Sequence, residues 1–368
     1  MMDLFVILSQ AILYVCFSIL VGTFVLQIVP LQYRPAINVP SKLLLWSATL
    51  IPVATFIPVL NIILYISPRL GFAQATKIVL STYTVGLAWT FTLLIASVLL
   101  LVLITSMQQS KITSKGVSAL ALLLLFALIG MVAWSSHAGA INVVLGTISD
   151  FIHLSAVSIW AGTLLIIGWY ATNTSNWDTF LTWFSVLAIT CLGATAVSGF
   201  LLVDVLVDEY VNAWMVNYGQ GIFLKHLFII PLVFYAAFNG LFVKYKITKE
   251  PTYNPIRGVK IESFILITIF VLTAIFSQSS PPHGHYLTQE AISPLFKIFH
   301  NTSEITANSY LKFKPSGIAI AFVFASMALF AANIVALVKR APVWLMFIVS
   351  TCFVLCIYST FMLSMVIR

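Results

Sequence analysis

The amino-acid sequence predicts an all-α integral membrane protein, a polytopic bundle of about ten transmembrane helices. Hydrophobic residues make up 61% of the 368 residues and charged residues only 8%, which is outside the range of soluble globular domains. The apolar residues also occur in runs of about 20, and in hydrocarbon such runs must be helices because every backbone N–H and C=O needs a partner within its own segment. A soluble multidomain enzyme is therefore excluded. We expect a multi-pass protein in a lipid bilayer.

The apolar runs place the helices in order along the chain. They lie near residues 4–29, 43–66, 78–105, 117–135, 151–170, 181–203, 221–243, 261–278, 317–338 and 342–366. The first run has no basic residue before it and is too long for a signal peptide, so we expect it to be a permanent helix. We divide the chain into residues 1–116 with three helices, 117–280 with five, an extracytoplasmic loop at 281–316, and 317–368 with two.

The basic residues predict the orientation of the chain, because Lys and Arg near helix ends are retained on the cytoplasmic side. If the N-terminus is outside, most of them fall inside: Arg34, Lys42, Lys111, Lys115, Lys244, Lys246, Lys249, Arg257, Lys260, Lys339 and Arg340. Ten helices then place both termini in the extracytoplasmic space. This bias accounts for the net charge of +8 without nucleic acid as a partner, since no basic stripe interleaved with aromatic residues appears.

All six histidines fall on the outer side in this orientation, together with most acidic residues. Imidazole is a ligand for Cu, Zn, Ni and Fe, whereas Mg and Ca prefer carboxylates. The outer mouth therefore resembles a transition-metal site, and the excess of acidic groups there would attract cations. The histidines are His137, His153, His226, His283, His285 and His300.

The candidate ligands differ in their alternatives. Asp150 and His153 are three residues apart near a predicted helix start, so the carboxylate is expected to ligate the metal or orient the imidazole, with helix capping as the alternative. His153 and His226 are both placed in the first turns of their predicted helices. His283 and His285 flank one glycine in a Pro-containing loop, either as a metal-capturing arm or as a plain solvated loop. His300 is expected to have no metal role.

The helix interiors are predicted to carry soft or neutral side chains. Ionisable residues are placed near helix ends, so no carboxylate relay is expected. Met131 below His137, and the pair Cys352 and Cys356 on one helix face, offer sulfur ligands that select Cu(I), although packing is their ordinary role. No phosphate-binding glycine motif couples transport to nucleotide hydrolysis, so the membrane potential would drive a cation inward.

Five short motifs in this order resemble a known family. They are Ser136-His137-Ala138, Asp150-Phe-Ile-His153 followed by Trp160-Ala-Gly162, Ser198-Gly199, Tyr218-Gly219 with Lys225 and Asn239, and Ser279-Ser280-Pro281-Pro282. Over about residues 131–283 the chain resembles the CopD/YcnJ-like family of copper-resistance and copper-uptake membrane proteins.

The resemblance implies a non-enzymatic protein of a bacterial cytoplasmic membrane that transports copper across it, usually as import. Copper ions are then the cargo and the outer histidines the ligands. The metal-site residues expected are His137, His153, Asp150, His226, His283, His285 and Met131. The sequence departs from the family pattern in three ways. No glycine precedes His137, His226 follows Lys225 where an aliphatic residue is expected, and no CopC-like β-domain is fused. Copper is therefore expected to arrive through the loop 279–316 or from an extracytoplasmic copper chaperone.

Two other functions fit the same residues. Paired histidines near one membrane face are able to ligate a b-type haem, which would make the protein a membrane redox protein. A copper sensor or assembly factor that transports nothing would also carry outer histidines. A visible absorption spectrum separates haem from copper, and vesicle flux separates transport from sensing.

Overall fold

The computed structural model describes residues 2–243, 249, 254–282, 287–288, 290–302, 305–306 and 308–368, without the side chains of Met2, Asp3 and Phe242. Within these residues, ten helices are long and apolar enough to cross a membrane. The predicted fold class, an all-α bundle of ten spanning helices, is confirmed.

The elements follow one another with short connections. They are α1 (Met2–Ile28), α2 (Ser41–Leu70), α3 (Phe72–Thr82), α4 (Thr84–Gln108), α5 (Lys115–Trp134), α6 (His137–Ile141), α7 (Leu145–Tyr170), α8 (Trp177–Leu206), α9 (Asn217–Phe238), α10 (Ile256–Phe276), α11 (Pro294–Lys297), β1 (Leu311–Phe313), α12 (Gly317–Val338), α13 (Val343–Leu363) and β2 (Met365–Ile367).

Several helices begin earlier than their apolar runs. Helix α7 begins at Leu145 rather than 151, α9 at Asn217 rather than 221, and α10 at Ile256 rather than 261. A hydropathy scan detects the part of a helix that lies in hydrocarbon, whereas the backbone hydrogen bonds continue into the polar interface. The prediction that His153 and His226 lie in first turns is therefore wrong, because both occupy the third turn of their helices.

The predicted third spanning helix is split in two. Helices α3 and α4 meet at Tyr83, and α3 is too short to cross a bilayer. A Cβ on Gly86 would lie 2.0 Å from the carbonyl oxygen of Val79, so the chain turns this tightly only with glycine there. The polar stretch at 81–84 is short and apolar residues resume on both sides of it, so the hydropathy pattern predicts one continuous helix.

The chain forms two compact units, and the first comprises residues 1–205 and 242–259. Its core is α1, which packs against α2, α5 and α7 and buries Phe17, Leu20 and Phe24 completely. Helices α1 and α7 meet backbone to backbone: a Cβ on Gly22 would lie 2.2 Å from the carbonyl oxygen of Gly162. Small residues at such a crossing permit the close approach that drives helix association in lipid.

The second unit comprises residues 206–241 and 260–368. Helices α9 and α10 run antiparallel along each other, since the rings of Tyr218 and Phe276 are 5.2 Å apart at one end and Asn239 contacts Glu262 at the other. A buried polar network joins α9 to α12 and α13. The hydroxyls of Tyr235 and Ser350 each donate to Asn333 Oδ1 at 2.8 Å.

Strand β2 follows α13 and pairs antiparallel with β1, which precedes α12. The two strands lie at the same ends of a helical hairpin, so they share one side of that hairpin. The two units group six and four spanning helices, whereas the sequence divides the chain after residues 116, 280 and 316. That division stays a prediction.

Candidate functional site

His153 lies inside α7 with one ring nitrogen held in place by α8. Its Nδ1 is 3.1 Å from the carbonyl oxygen of Thr195 and 3.2 Å from Ser198 Oγ. A carbonyl only accepts, and the Ser198 hydroxyl already donates to the carbonyl of Ala194 at 2.6 Å. Nδ1 therefore carries the hydrogen in the neutral ring, and the lone pair lies on Nε2. This is the tautomer that metal-binding histidines with a backbone acceptor use.

Other polar atoms around His153 are buried without a partner. Ser149 and Trp160 lie four residues before and seven after it, on the same face of α7. In the described part of the chain, Ser149 Oγ, Trp160 Nε1 and Thr195 Oγ1 have no hydrogen-bond partner. Buried polar atoms of this kind usually mark water, an ion or a functional site. The surroundings of His153 are therefore polar and unsatisfied within a helix bundle.

Asp150 is half-buried in the second turn of α7. The N-cap of this helix is Val144, so the alternative that Asp150 caps the helix is wrong. Its role as a ligand or as a group that orients His153 stays a prediction.

His137 and Met131 belong to the elements that pack against α7. His137 is the exposed first residue of α6, which Ser136 caps by accepting from the backbone N–H of Gly139 at 3.2 Å. Met131 is half-buried in the last turn of α5. Both α5 and α6 contact α7, so the fold brings the elements that carry His137, Met131 and His153 into one unit.

His226 forms a hydrogen bond that sequence reasoning missed. Its Nδ1 is 2.6 Å from the hydroxyl oxygen of Tyr210, in the connection between α8 and α9. Burial raises the pKa of Tyr210 to about 12, so the phenol is neutral at physiological pH. Lys225 lies beside this pair with its ammonium 5.9 Å from the centre of the Phe276 ring. No sequence spacing links Tyr210 to His226, because the tyrosine comes from a loop.

The remaining histidines divide between described and undescribed parts of the chain. His283 and His285 lie outside the described residues. His300 places its two ring nitrogens 3.3 Å from the Phe296 carbonyl oxygen and 3.1 Å from that of Met365. Among the described residues, no three His, Cys, Asp or Glu side chains come together as a metal site.

The prediction that ionisable groups stay near helix ends is wrong for His226, which is the tenth of the 22 residues of α9. Glu262 lies closer to an end, in the second turn of α10, but is only 3% exposed. The sequence signal was present, since a single acidic residue stands among apolar ones from 261 onward. The apolar run begins at 261, so the predicted helix has Glu262 at its end.

Comparison with known proteins finds a family to which part of the chain is similar. Residues 178–276 match the sequence model of the family described as "Copper resistance protein D". The resemblance to the CopD family is confirmed. The CopD-matching segment covers α8 from its second residue, the whole of α9 and the whole of α10. It therefore includes Ser198, His226 and Asn239, while His137 and His153 precede it.

One relative is the "Copper transport protein CutJ" of Bacillus subtilis (strain 168), which is 28% identical over 208 residues. The match covers 54% of this chain and 37% of the relative, so the chain spans little more than a third of that protein's length. No solved structure matches the chain. Together with the ten apolar helices, the CopD-like sequence confirms a multi-pass protein of the cytoplasmic membrane.

Proposed function

We propose that this protein transports copper ions across the cytoplasmic membrane in the direction of import, with no enzymatic activity. The observation that carries the proposal is His153, an imidazole inside a spanning helix whose Nδ1 faces the Thr195 carbonyl and whose lone pair lies on Nε2. The names of the matching family and of the relative, both of which refer to copper, support the choice of metal.

Copper is cargo in this proposal and passes between ligands rather than residing in one site. A transported ion needs sites that bind well enough to capture it and weakly enough to release it. A single anchored imidazole with neighbouring hydroxyls suits that need better than a closed cage of four ligands. The proposed copper contacts are His137, His153, Asp150, His226, His283, His285 and Met131.

The extracytoplasmic side is the proposed point of entry. The basic residues favour an outward N-terminus, and in that orientation the start of α7 and the segment before α12 would lie on the outer side. An extracytoplasmic copper chaperone is the proposed donor. Import then runs down the membrane potential, which favours a cation by roughly 2.3 kcal/mol per charge per 100 mV.

Copper uptake into proteoliposomes, measured with and without a reductant, tests the proposal. His153→Ala is expected to remove the uptake that the unaltered protein provides. Ser198→Ala leaves the Thr195 carbonyl as the remaining Nδ1 partner, and loss of such an orienting contact typically weakens metal affinity about 10- to 100-fold. We therefore expect Ser198→Ala to raise the copper concentration needed for half-maximal uptake.

The matched control is Ser97→Ala. Ser97 is an exposed residue of α4 whose hydroxyl bonds within its own helix, to the carbonyl of Leu93 at 2.8 Å. Copper uptake by Ser97→Ala is expected to equal that of the unaltered protein. Equal uptake by His153→Ala and Ser97→Ala would refute the site, and a Soret band in the purified protein would favour the haem alternative.

A further inference from the structure

Glu262 is an acidic side chain inside a membrane-spanning helix that the proposed copper route does not use. It lies roughly 9 Å along α10 from Ile256, at 1.5 Å per residue. Its side chain is 3% exposed, and the neighbouring Ile261, Ser263 and Ile265 are completely buried. An ionisable residue buried within a transmembrane segment is costly and usually functional.

The hydrogen-bond partner of Glu262 in the described part of the chain is a neutral amide. Asn239 Nδ2 donates to Glu262 Oε1, and Asn239 is itself 7% exposed. Asn239 begins a π-helical turn, Asn239–Val243, that directly follows α9. Single π turns inside or at the ends of α-helices occur frequently at functional sites.

The amide suits both protonation states of the carboxyl group. As a carboxylate, Glu262 accepts from the Asn239 amide N–H; as an acid, its O–H can donate to the Asn239 carbonyl. A basic partner would instead hold the group permanently as an anion. The Asn239 amide can therefore stabilise the Glu262 carboxyl group in either protonation state.

Among the residues that the structure describes, the charged and titratable groups on the helices next to Glu262 can be named one by one. On its own helix, Arg257 and Lys260 stand five and two residues before it. Helix α9 packs along α10 and contributes Asn239. Helix α13 contacts α10 where the rings of Phe264 and Phe347 are 5.9 Å apart. Helix α13 contains no charged residue, and its titratable side chains are Cys352, Cys356 and Tyr358.

We propose that Glu262 and Asn239 form a proton-binding site that links copper movement to proton movement. This rests on the proposed copper transport for its coupling, but not for proton binding itself. A proton from water binds the Glu262 carboxylate to give the acid, and its release to water regenerates the carboxylate. Proton release as a copper ion enters would limit the net charge carried per cycle.

Infrared difference spectroscopy of the purified full-length protein tests proton binding without copper. A pH step is expected to change a C=O stretching band of a protonated carboxyl group that shifts in D2O and is lost in Glu262→Gln. Glu290→Gln alters an exposed acidic residue and is expected to keep the band. An identical band in Glu262→Gln overturns the proposal. If that variant does not assemble, Asn239→Ala is expected to shift the band, because the carboxyl group loses its hydrogen bond, and an unshifted band overturns the proposal.

Coupling is measured in proteoliposomes that contain a pH-sensitive dye. Copper uptake by the unaltered protein is expected to move protons the opposite way and to respond to an imposed pH gradient, and Glu262→Gln is expected to lose both effects. Copper uptake by Glu262→Gln with an unchanged response to the gradient would overturn the coupling while leaving copper transport intact. If the Glu262 infrared band is present but neither the unaltered protein nor any variant takes up copper, the proposed function is refuted and the proton-binding site is retained.

Discussion

His153 is oriented by α8 rather than by its own helix. The Thr195 carbonyl and the Ser198 hydroxyl both face Nδ1, and Gly199 leaves room for the ring, since a Cβ there would lie 3.4 Å from His153 Cε1. Helix α8 therefore fixes the tautomer before any ion arrives. Preorganisation of this kind reduces the cost of binding.

The Tyr210–His226 hydrogen bond gives a prediction at the residue scale. Tyr210→Phe removes the hydroxyl that lies 2.6 Å from Nδ1 and leaves that nitrogen without its partner. We expect the free energy of unfolding to fall by about 1 kcal/mol, the usual net value of such a bond. Thermal unfolding in detergent measures the effect.

Tyr65→Phe is the control for this change, because Tyr65 is 81% exposed. Its unfolding temperature is expected to match that of the unaltered protein. Equal unfolding temperatures for Tyr210→Phe and Tyr65→Phe would show that the hydrogen bond contributes nothing to stability.

At the scale of elements, the crossing of α1 and α7 depends on two glycines. Gly22 and Gly162 allow the two backbones to touch, and a Cβ on Gly162 would lie 2.2 Å from the carbonyl oxygen of Ser18. No flexible side-chain end separates them, so any added atom must push the helices apart.

Gly162→Ala is expected to destabilise the protein by about 1–3 kcal/mol or more, the usual range for overpacking. Gly193→Ala is the matched control. Gly193 lies in α8, and a Cβ there meets nothing within 4 Å, so alanine should stabilise its helix slightly. In the same detergent, Gly162→Ala is expected to lower the unfolding temperature and Gly193→Ala to raise it slightly. Equal shifts would contradict the close contact.

The elements also show what the sequence could predict. The number and order of spanning helices were predictable, because the need to satisfy backbone hydrogen bonds in lipid leaves long apolar runs few alternatives. The ends of the helices were less predictable. Helix α7 begins six residues before its predicted start, so His153 lies within the bundle and not at the membrane interface. The partners Thr195 and Tyr210 follow from tertiary packing between separate segments, which periodicity does not encode. The role of His153 as a copper ligand stays a prediction.

At the scale of the whole molecule, the ten spanning helices constrain sidedness. If all ten candidate spans of the described residues cross the membrane, the two ends of the chain lie on the same side, and the distribution of Lys and Arg predicts that this is the outer side. The pairing of β1 with β2 places the segment before α12 on the side where α13 ends.

Cysteine labelling tests this orientation. In a chain with Cys352 and Cys356 replaced by serine, Lys312→Cys is expected to react with a membrane-impermeant maleimide in intact cells, because it lies on exposed β1. Lys111→Cys, in the exposed connection between α4 and α5, is expected to react only after the membrane is permeabilised. The reverse labelling pattern would show that the predicted orientation is wrong and that the proposed import site faces the cytoplasm.

The glycine crossing of α1 and α7 also affects biosynthesis. Helix α1 is synthesised long before Gly162, so its most intimate neighbour does not yet exist when it enters the bilayer. Helix α1 therefore remains in contact with lipid, or with the insertion machinery, until more than a hundred further residues have been translated and α7 can pack against it. Assembly of the first unit is therefore governed by a late, long-range docking event rather than by the insertion of successive helices.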